Sequence, residues 1–234
     1  MTGDLSPEKE LLVTNDGSHT VILPASGITY RSRHGALQES RLVFIEAGLH
    51  YQWEQQPAGE LSVFELGFGT GLNALLTCNE AAVNKRKIFY TTIDPDPLDP
   101  AMIEMLNFAD KNRYLSRMHH VPWAEQIEIH PYFSFIKYRS AFQDFQPVVP
   151  STYDLIYFDA FGPLAQPELW SASTFAKIFQ MMNDGAALTT YCSKSTVRRT
   201  MTEAGLRVYK IPGPRGKREM VRAIKPAAPT AKIS

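Results

Sequence analysis

Three glycines at alternate positions close an apolar run, which reads Leu-Ser-Val-Phe-Glu-Leu-Gly-Phe-Gly-Thr-Gly over residues 61–71. Residues 61–66 predict a buried strand, because apolar and strand-favouring side chains dominate them. Gly67, Gly69 and Gly71 then permit a sharp turn and a close approach of bare backbone to a ligand. A helical pattern starts at Leu72, so the loop leads into a helix N-terminus with free N–H groups. The segment predicts a nucleotide-binding loop.

The glycine spacing indicates the kind of cofactor. The pattern G-x-G-x-G, with Glu65 two residues ahead of it, differs from the dinucleotide pattern G-x-G-x-x-G. It also differs from the phosphate-binding pattern G-x-x-x-x-G-K-[ST], because no lysine follows. A cofactor without phosphates, S-adenosylmethionine, fits better. The alternative is a tight strand-to-helix turn, which any α/β protein can contain.

Two aspartates come directly after later predicted strands. Asp94 follows the strand predicted at 87–93, and Asp159 follows the strand predicted at 153–158. Ligands of open α/β sheets bind beyond the carboxyl ends of the strands, so Gly67, Asp94 and Asp159 are expected to share one crevice. Asp94 is predicted to bind the ribose hydroxyls of the cofactor. A turn or a helix-capping role is the alternative for Asp94.

Asp159 is the candidate catalytic residue. A carboxylate at a strand end, followed here by Ala-Phe-Gly-Pro, can orient an amine nucleophile and accept its proton during methyl transfer. The alternative is an aspartate that only caps a turn. We expect no metal site, because the histidines lack ligand spacing and the chain contains neither Cys-x-x-Cys nor His-Glu-x-x-His.

Strands alternate with helices along most of the chain, which predicts a parallel α/β sheet with helices on both faces. The last two predicted strands, 206–211 and 219–224, form a hairpin. Together these features predict a Rossmann-like, class I S-adenosylmethionine methyltransferase sheet with a terminal antiparallel hairpin. The remaining predictions are helices at 101–108, 167–183 and 193–204 and strands at 135–140 and 186–192, with Asp184-Gly185 ending the second of these helices.

A small β/α extension is predicted before this sheet. Residues 11–23 read as a β-hairpin that turns at Asp16-Gly17, and a helix is expected near residues 36–49. We expect residues 1–50 to form this extension, residues 51–225 the methyltransferase core and residues 226–234 a flexible tail.

Composition bounds the class of protein. The 234 residues are 44% apolar, which suits one α/β domain. No apolar run reaches the ~20 residues needed to span a bilayer, and the first residues lack an export signal. The two cysteines, Cys78 and Cys192, lie far apart in apolar segments and are expected to be buried, reduced thiols. We therefore expect a cytoplasmic protein that does not enter a membrane.

The charges are segregated, although 24 basic residues balance 24 acidic ones. Residues 186–225 contain ten basic and two acidic side chains, a net charge of +8. This asymmetry predicts an anionic partner, and the arginine donors of the last loop suit phosphate groups. A solvated surface, with a salt-bridged exposed hairpin, is the alternative.

Four motifs, in this order, resemble one family. They are residues 64–73 (FELGFGTGLN), 159–163 with 167–170 (DAFGP and PELW), 197–199 (VRR) and 217–220 (KREM). Taken together they resemble the methyltransferase domain of the bifunctional tRNA 5-methylaminomethyl-2-thiouridine biosynthesis proteins and its stand-alone relatives, from about residue 30 to residue 224. The resemblance implies methylation of the 5-aminomethyl group on a tRNA wobble (2-thio)uridine.

The resemblance also implies roles for individual residues. Asp159 matches the active-site aspartate of the family. The cofactor site is implied to contain Glu65, Gly67, Gly69, Gly71, Asp94 and Asp159. The substrate and tRNA site is implied to contain Glu39, Arg41, Phe161, Arg198, Arg199, Lys217 and Arg218.

Three departures from the family pattern carry expectations of their own. The usual adenine-contacting acid falls at Ser140-Ala141, where Gln143 or Asp144 is the candidate replacement. Ser195-Thr196 stand where the family has a Gly-Phe pair. No flavin oxidase domain follows in this sequence, so we expect the protein to receive the free aminomethyl form or to depend on a separate oxidase.

Two other functions compete with this one. An aminopropyltransferase of the spermidine synthase type shares the fold, but it needs an acidic polyamine pocket, whereas the last third of this chain is basic. A non-catalytic RNA-binding module with a degenerate cofactor site is the other. Binding of S-adenosylmethionine discriminates between an enzyme and such a module.

Overall fold

Strands and helices alternate along the chain, as predicted. The structure, a computed structural model, describes residues 8–108, 113–147 and 152–227. In this part of the chain the strands are β1 (Glu10–Val13), β2 (His19–Leu23), β3 (Ile28–Thr29), β4 (Leu61–Leu66), β5 (Ile88–Ile93), β6 (Ile127–His130), β7 (Phe133–Tyr138), β8 (Tyr153–Phe158), β9 (Met182–Thr190), β10 (Arg207–Pro212) and β11 (Glu219–Ile224).

The helices cover both faces of the sheet. They are α1 (Ala36–Ser40), a π-helix (Arg41–His50), α2 (Tyr51–Gln55), α3 (Leu72–Asn84), α4 (Pro100–Glu104), α5 (Arg113–His120), a 3₁₀-helix (Pro167–Trp170), α6 (Ala172–Met181) and α7 (Ser195–Glu203). No helix in the described part of the chain combines the length and the apolar character needed to cross a membrane.

The central sheet has the strand order β10-β11-β9-β8-β4-β5-β7-β6. Its middle strands β9, β8, β4, β5 and β7 run parallel, whereas β6, β10 and β11 each pair antiparallel with a neighbour. This order confirms the predicted class I sheet with its terminal hairpin. It also sets the carboxyl ends of β4, β5 and β8 side by side at one edge of the sheet.

Apolar layers fill both faces of the sheet, and β8 shows how they alternate. Leu155 and Tyr157 pack under the π-helix and α3, whereas Ile156 and Phe158 pack under α6 and α7. All four side chains are fully buried. Burial of one such side chain contributes ~1.5–3 kcal/mol, so this strand is a rigid base for the loop that follows it.

The N-terminal hairpin predicted at residues 11–23 is present. β1, β2 and β3 make an antiparallel sheet, and Val21 of this sheet packs with Leu98 and Ile103 beyond β5. Helical structure continues without a break from residue 36 to residue 55, so the boundary predicted at residue 50 lies inside a helix. The division into 1–50 and 51–225 remains a prediction, and most of the predicted tail lies outside the described residues.

The limits predicted for the helix at 167–183 are wrong. A 3₁₀-helix precedes α6, whose N-terminus is capped by the Ser171 hydroxyl accepting the Thr174 N–H at 3.3 Å. Asp184-Gly185 do not end this helix, because β9 already begins at Met182. The pairing of β9 with β8 is irregular at this point, and Gly185 takes a positive φ of 80° while its N–H bonds to the Lys225 carbonyl. Gly185 therefore lies in a strand irregularity that needs a positive φ. The residue that follows a helix C-terminus often needs the same conformation.

Other helices and strands differ slightly from their predicted first and last residues. The helix predicted at 101–108 is the shorter α4, and the strand predicted at 135–140 begins two residues earlier as β7. The strand predicted at 186–192 begins earlier, at Met182, and the helix predicted at 193–204 is α7.

Candidate active site

The carboxyl ends of β4, β5 and β8 surround one cavity of about 290 Å³. Gly67 and Gly69 from the loop after β4, Asp94 after β5 and Asp159 after β8 all line it. The topology therefore brings together the residues that follow three separate strands. Further lining side chains include Tyr30, Arg31, Gln143, Phe161, Gln166 and Glu168.

Each glycine of the loop is required by a different neighbour. A Cβ on Gly67 would lie 3.2 Å from the Asp159 carbonyl oxygen, and one on Gly69 would lie 3.1 Å from Cδ2 of Tyr30. Gly71 is instead packed against α5, because its Cβ would lie 2.7 Å from Cδ1 of Leu115. Gly67 and Gly69 border the cavity, whereas Gly71 shapes the loop from behind.

Asp94 holds the glycine loop against β5. Its carboxylate accepts the Gly69 N–H at 2.8 Å and the Asp96 N–H at 2.9 Å. Burial raises the pKa of this carboxyl group, while the two backbone N–H groups favour its charged form. The turn role of Asp94 is thus present in the structure, and the predicted ribose contact stays a prediction.

A buried polar cluster lies beneath the cavity. Asn73, at the start of α3, donates from its side-chain amide to Oε1 of Glu65 at 3.0 Å and to Oδ2 of Asp159 at 3.2 Å. The guanidinium of Arg31 pairs with the same Oδ2 of Asp159. Glu65 is fully buried, and the side chains of Arg31 and Asp159 are only 5% and 6% exposed. The two carboxyl groups thus share the buried Asn73 amide, and Asp159 also pairs with the buried Arg31.

Burial sets the protonation of these carboxyl groups. Burial and the neighbouring charge of Asp159 together raise the pKa of Glu65 to about 8, although Arg31 opposes this rise. Burial also raises the pKa of Asp159 to about 7, although Arg31 opposes this rise. Near neutral pH Glu65 therefore keeps its proton, whereas Asp159 is close to its midpoint. A proton acceptor works best with a pKa close to the working pH.

The loop between β10 and β11 closes over this cluster. Nζ of Lys217 lies 2.6 Å from Oε1 of Glu39 and 3.8 Å from the ring centroid of Tyr191. The Tyr191 hydroxyl donates to the Ala160 carbonyl at 2.8 Å, directly after Asp159. Glu39 also accepts the Ser32 N–H at 2.9 Å and is buried. Glu39 and Lys217, both predicted substrate residues, therefore bind each other.

The other predicted substrate residues occupy three places. Phe161 borders the cavity and packs edge-to-face on Tyr30, with ring centroids 5.1 Å apart. Arg41 is exposed at the start of the π-helix. The remaining ones, Arg198, Arg199 and Arg218, lie on α7 and in the β10–β11 loop.

Basic side chains from several elements meet around Glu219. This carboxylate pairs with Lys210 of β10 at 2.8 Å, and the charges of Arg218 and Arg198 also help lower its pKa. We call Arg198, Arg199, Lys210, Arg218 and Lys217 the basic face. Lys217 connects the basic face to Glu39, and the charges of both residues act on Asp159.

His119, to which its sequence position assigned no role, supports the glycine loop from behind. Nε2 of His119 lies 3.1 Å from the Thr70 carbonyl, and the ring packs on Phe68 with centroids 4.7 Å apart. Burial lowers the pKa of His119 to about 4, so the ring is neutral and donates its Nε2–H to that carbonyl. Lys137 fixes this end of α5 by donating to the His119 carbonyl.

Of the two candidates for the missing adenine acid, Gln143 borders the cavity. Asp144 instead turns back, and its N–H bonds to the Ala141 carbonyl at 3.2 Å. Lys177 holds this loop by donating to the carbonyls of Phe142 and Gln143 at 2.7 and 3.0 Å. A glutamine amide can both donate to and accept from an adenine, so the adenine contact of Gln143 stays a prediction.

No group of three or more His, Cys, Asp or Glu side chains in the described ranges is arranged to hold a metal ion. Both cysteines are buried free thiols, as predicted.

Comparison with known families agrees with this geometry. Residues 112–226 match the model of a family described as S-adenosyl-L-methionine-dependent methyltransferases. This description agrees with the cofactor that the glycine loop predicts.

Among curated relatives, the tRNA 5-methylaminomethyl-2-thiouridine biosynthesis bifunctional protein MnmC of Nitrosospira multiformis is 28% identical over 221 residues, which cover 89% of this chain and 36% of the relative. The MnmC protein of Aromatoleum aromaticum is 29% identical, covering 91% of this chain and 34% of the relative. The chain thus spans about a third of the length of the curated relatives it matches.

Among solved structures, MnmC2 of Aquifex aeolicus superimposes with a TM-score of 0.80 at 22% identity, covering 96% of this chain and 73% of that one. These comparisons confirm the predicted resemblance to the MnmC methyltransferase domain and the class I methyltransferase fold.

The glycine loop generates a prediction about ligand binding. Gly69→Val places a branched side chain against Tyr30 at a backbone φ of 50°, so affinity for S-adenosylmethionine should be lost, as measured by calorimetry. Gly185→Val is the matched control, because Gly185 also has a positive φ but no atom within 4 Å of its Cβ position. It should bind normally. Unchanged affinity of the Gly69 variant would rule out this loop as the cofactor site.

His119 generates a second prediction. His119→Phe keeps a ring against Phe68 but removes the donor to the Thr70 carbonyl. One lost hydrogen bond costs ~1 kcal/mol, so S-adenosylmethionine should bind about fivefold more weakly in calorimetry. His120→Phe is the control, since His120 is exposed and its ring contacts Ser116 of the same helix, and should leave affinity unchanged. Equal effects of the two substitutions would contradict a specific support of the loop.

Proposed function

We propose that this chain is an S-adenosylmethionine-dependent methyltransferase that methylates the 5-aminomethyl group of a wobble (2-thio)uridine in tRNA. The observation that carries the proposal is the buried Asp159 carboxylate, which shares one cavity with the glycine loop. The names of the relatives support the tRNA substrate. A tRNA substrate also suits a cytoplasmic protein.

The residues of the cavity fit the cofactor. Gly67 and Gly69 expose backbone, Asp94 offers acceptors for ribose hydroxyls, and Gln143 offers a donor and an acceptor for adenine. No phosphate-binding lysine follows the loop. When bound, S-adenosylmethionine supplies an electrophilic methyl group on a positively charged sulfur, whose linear transfer to an amine leaves the thioether.

Asp159 prepares the amine for this transfer. An amine of ordinary pKa is mostly protonated at neutral pH, and only its neutral form has a free lone pair. The Asp159 carboxylate can accept the amine proton and orient the nitrogen toward the methyl group. Arg31 and Asn73 both bind Oδ2 of Asp159, and we assign the substrate contact to Oδ1.

The surroundings of the cavity suit an RNA. Lysine and arginine side chains of the basic face bind phosphates without regard to sequence. Phe161 and Tyr30 border the cavity, and aromatic rings stack on unpaired bases such as those of a tRNA loop. The reaction requires a free amine, so an oxidase that removes a carboxymethyl group must act earlier if the uridine carries one.

The direct test is methyl transfer to tRNA from a strain that lacks this gene. The purified protein is incubated with this tRNA and labelled S-adenosylmethionine, and the nucleosides are analysed by mass spectrometry. We expect one added methyl group on 5-aminomethyl-(2-thio)uridine. Cofactor binding without any transfer would indicate a non-catalytic module. Aminopropyl transfer to a polyamine from decarboxylated S-adenosylmethionine would indicate the spermidine synthase type of reaction.

Removal of the Asp159 carboxylate should reduce the rate of methyl transfer more than the affinity for cofactor or tRNA. General base catalysis contributes about 10²–10⁴-fold, so the single-turnover rate of Asp159→Ala should fall by about this factor. The affinities for cofactor and tRNA should change far less, because the lost contact matters most in the transition state. Asp159→Asn keeps the shape without the charge and should retain weak activity. Asp99→Ala, an exposed aspartate of the same region, is the control. A near-normal rate of Asp159→Ala would reduce Asp159 to a turn residue.

Charge removal on the basic face should weaken tRNA binding in a salt-dependent way. Arg199→Gln with Arg218→Gln should lower the slope of log affinity against log salt by about one unit per lost phosphate contact. Lys85→Gln with Lys87→Gln is the matched control, because it removes the same charge from exposed residues between α3 and β5. S-adenosylmethionine affinity should stay constant in both. Equal slopes for the two double variants would make the basic face an ordinary solvated surface.

A further inference from the structure

Arg31 supplies the buried positive charge in direct contact with Asp159. Its guanidinium pairs with Oδ2 of Asp159, and its side chain is 5% exposed. The sequence contains no signal for this role, since residue 31 lies in the N-terminal extension, more than a hundred residues before Asp159. The contact is therefore made only by the tertiary fold.

The N-terminal extension determines where Arg31 lies. The Arg31 N–H donates to the buried Thr20 hydroxyl of β2 at 2.9 Å. The guanidinium carbon lies 5.3 Å from the ring centroid of Phe44 in the π-helix. These contacts fix both the backbone and the head group of Arg31. The extension thus delivers a charge that the core of the sheet does not supply.

Charged and titratable side chains from several elements surround Asp159. Arg31 and Lys217 favour its ionised form, whereas Glu39 opposes it. Glu65 and Tyr191 also face Asp159, and the Asp159 charge raises the pKa of both. Lys217 is paired with Glu39 at 2.6 Å, so its charge is largely balanced. Arg31 is therefore the strongest neighbouring charge that favours the ionised form of Asp159.

We propose that Arg31 is the positioning residue of this active site, which favours the ionised form of Asp159 and directs its other carboxylate oxygen toward the substrate amine. The proposal rests on the proposed function of Asp159. Through Arg31, the N-terminal extension becomes part of the catalytic site. Arg31 acts through Asp159 and requires no contact with the substrate.

Nη1 of Arg31 points to a second possibility that the test must separate. Among the described residues this buried nitrogen has no hydrogen-bond partner. An arginine that instead binds an anionic group of the cofactor would change cofactor affinity and leave the titration of Asp159 unchanged.

The test compares Arg31→Gln and Arg31→Lys with the control Arg33→Gln. Arg33 is an exposed neighbour whose guanidinium donates to the Gly27 carbonyl. The Asp159 carboxyl is titrated by ¹³C NMR in protein labelled at aspartate, and its signal is identified by its loss in Asp159→Asn. S-adenosylmethionine affinity and the pH profile of single-turnover transfer are measured on the same proteins.

We expect the pKa of Asp159 to rise by about 1–3 units in Arg31→Gln, the usual effect of removing an adjacent opposite charge. The carboxylate needed for transfer then forms only at higher pH. The acidic limb of the rate profile should therefore move up by the same amount. Arg31→Lys keeps the charge and should titrate close to the unsubstituted protein, as should Arg33→Gln.

An unchanged Asp159 titration in folded Arg31→Gln would overturn the proposal, and loss of cofactor affinity with an unchanged titration would assign Arg31 to the cofactor. The NMR titration needs no tRNA. If the unsubstituted protein transfers no methyl group, the proposed function fails, yet the titration still decides what Arg31 does to Asp159.

Discussion

The buried ion pair of Arg31 and Asp159 connects parts of the chain that are distant in sequence. Arg31 belongs to the N-terminal extension, Asp159 follows β8, and Asn73 at the start of α3 binds the same carboxylate. A buried charge is costly unless it is paired and hydrogen-bonded, so each of these elements must be in place for the others to be stable. Glu65 adds a second carboxyl group to this cluster. The arrangement of the site follows from the need to pair and hydrogen-bond the buried Asp159 charge.

The sheet topology provides the geometry in which this cluster forms. Because β5, β4 and β8 are parallel neighbours, the residues that follow them meet at one edge. The glycine loop needs open backbone there, since the Asp159 carbonyl and Tyr30 lie too close for side chains at Gly67 and Gly69. The loop between β10 and β11 then closes the cluster through Lys217 and Glu39. The antiparallel hairpin at the end of the sheet therefore also belongs to the site.

The elements that sequence reasoning predicted have strong local signals. β4 at 61–66 and β11 at 219–224 have the predicted limits, because each is a short run of strand-favouring residues bounded by turn residues. Asp94 and Asp159 were placed at the cavity by the general rule that ligands bind beyond strand ends. The end of α6 was placed wrongly, because Asp184-Gly185 suit a helix stop and a strand irregularity equally well.

Other site residues have no local signal. Arg31 is one of many arginines, and only the packing of β2 and the π-helix brings it to Asp159. His119 occurs in a segment without clear periodicity, and its contact with Thr70 depends on how α5 lies behind the loop. Glu39 and Lys217 carried predictions of substrate binding, but their mutual ion pair joins residues that lie 178 positions apart. Contacts of this kind follow from the fold and not from spacing.

We propose that the cavity between the glycine loop, Asp94 and Asp159 holds the cofactor beside the Asp159 carboxylate. A crystal structure of the protein with S-adenosylhomocysteine tests it most directly. We expect the ribose hydroxyls at Asp94, the adenine at Gln143 and the sulfur on the side of Asp159. A ligand bound elsewhere on the protein, or a cavity that stays empty at saturating ligand, would show that this cavity is not the cofactor site.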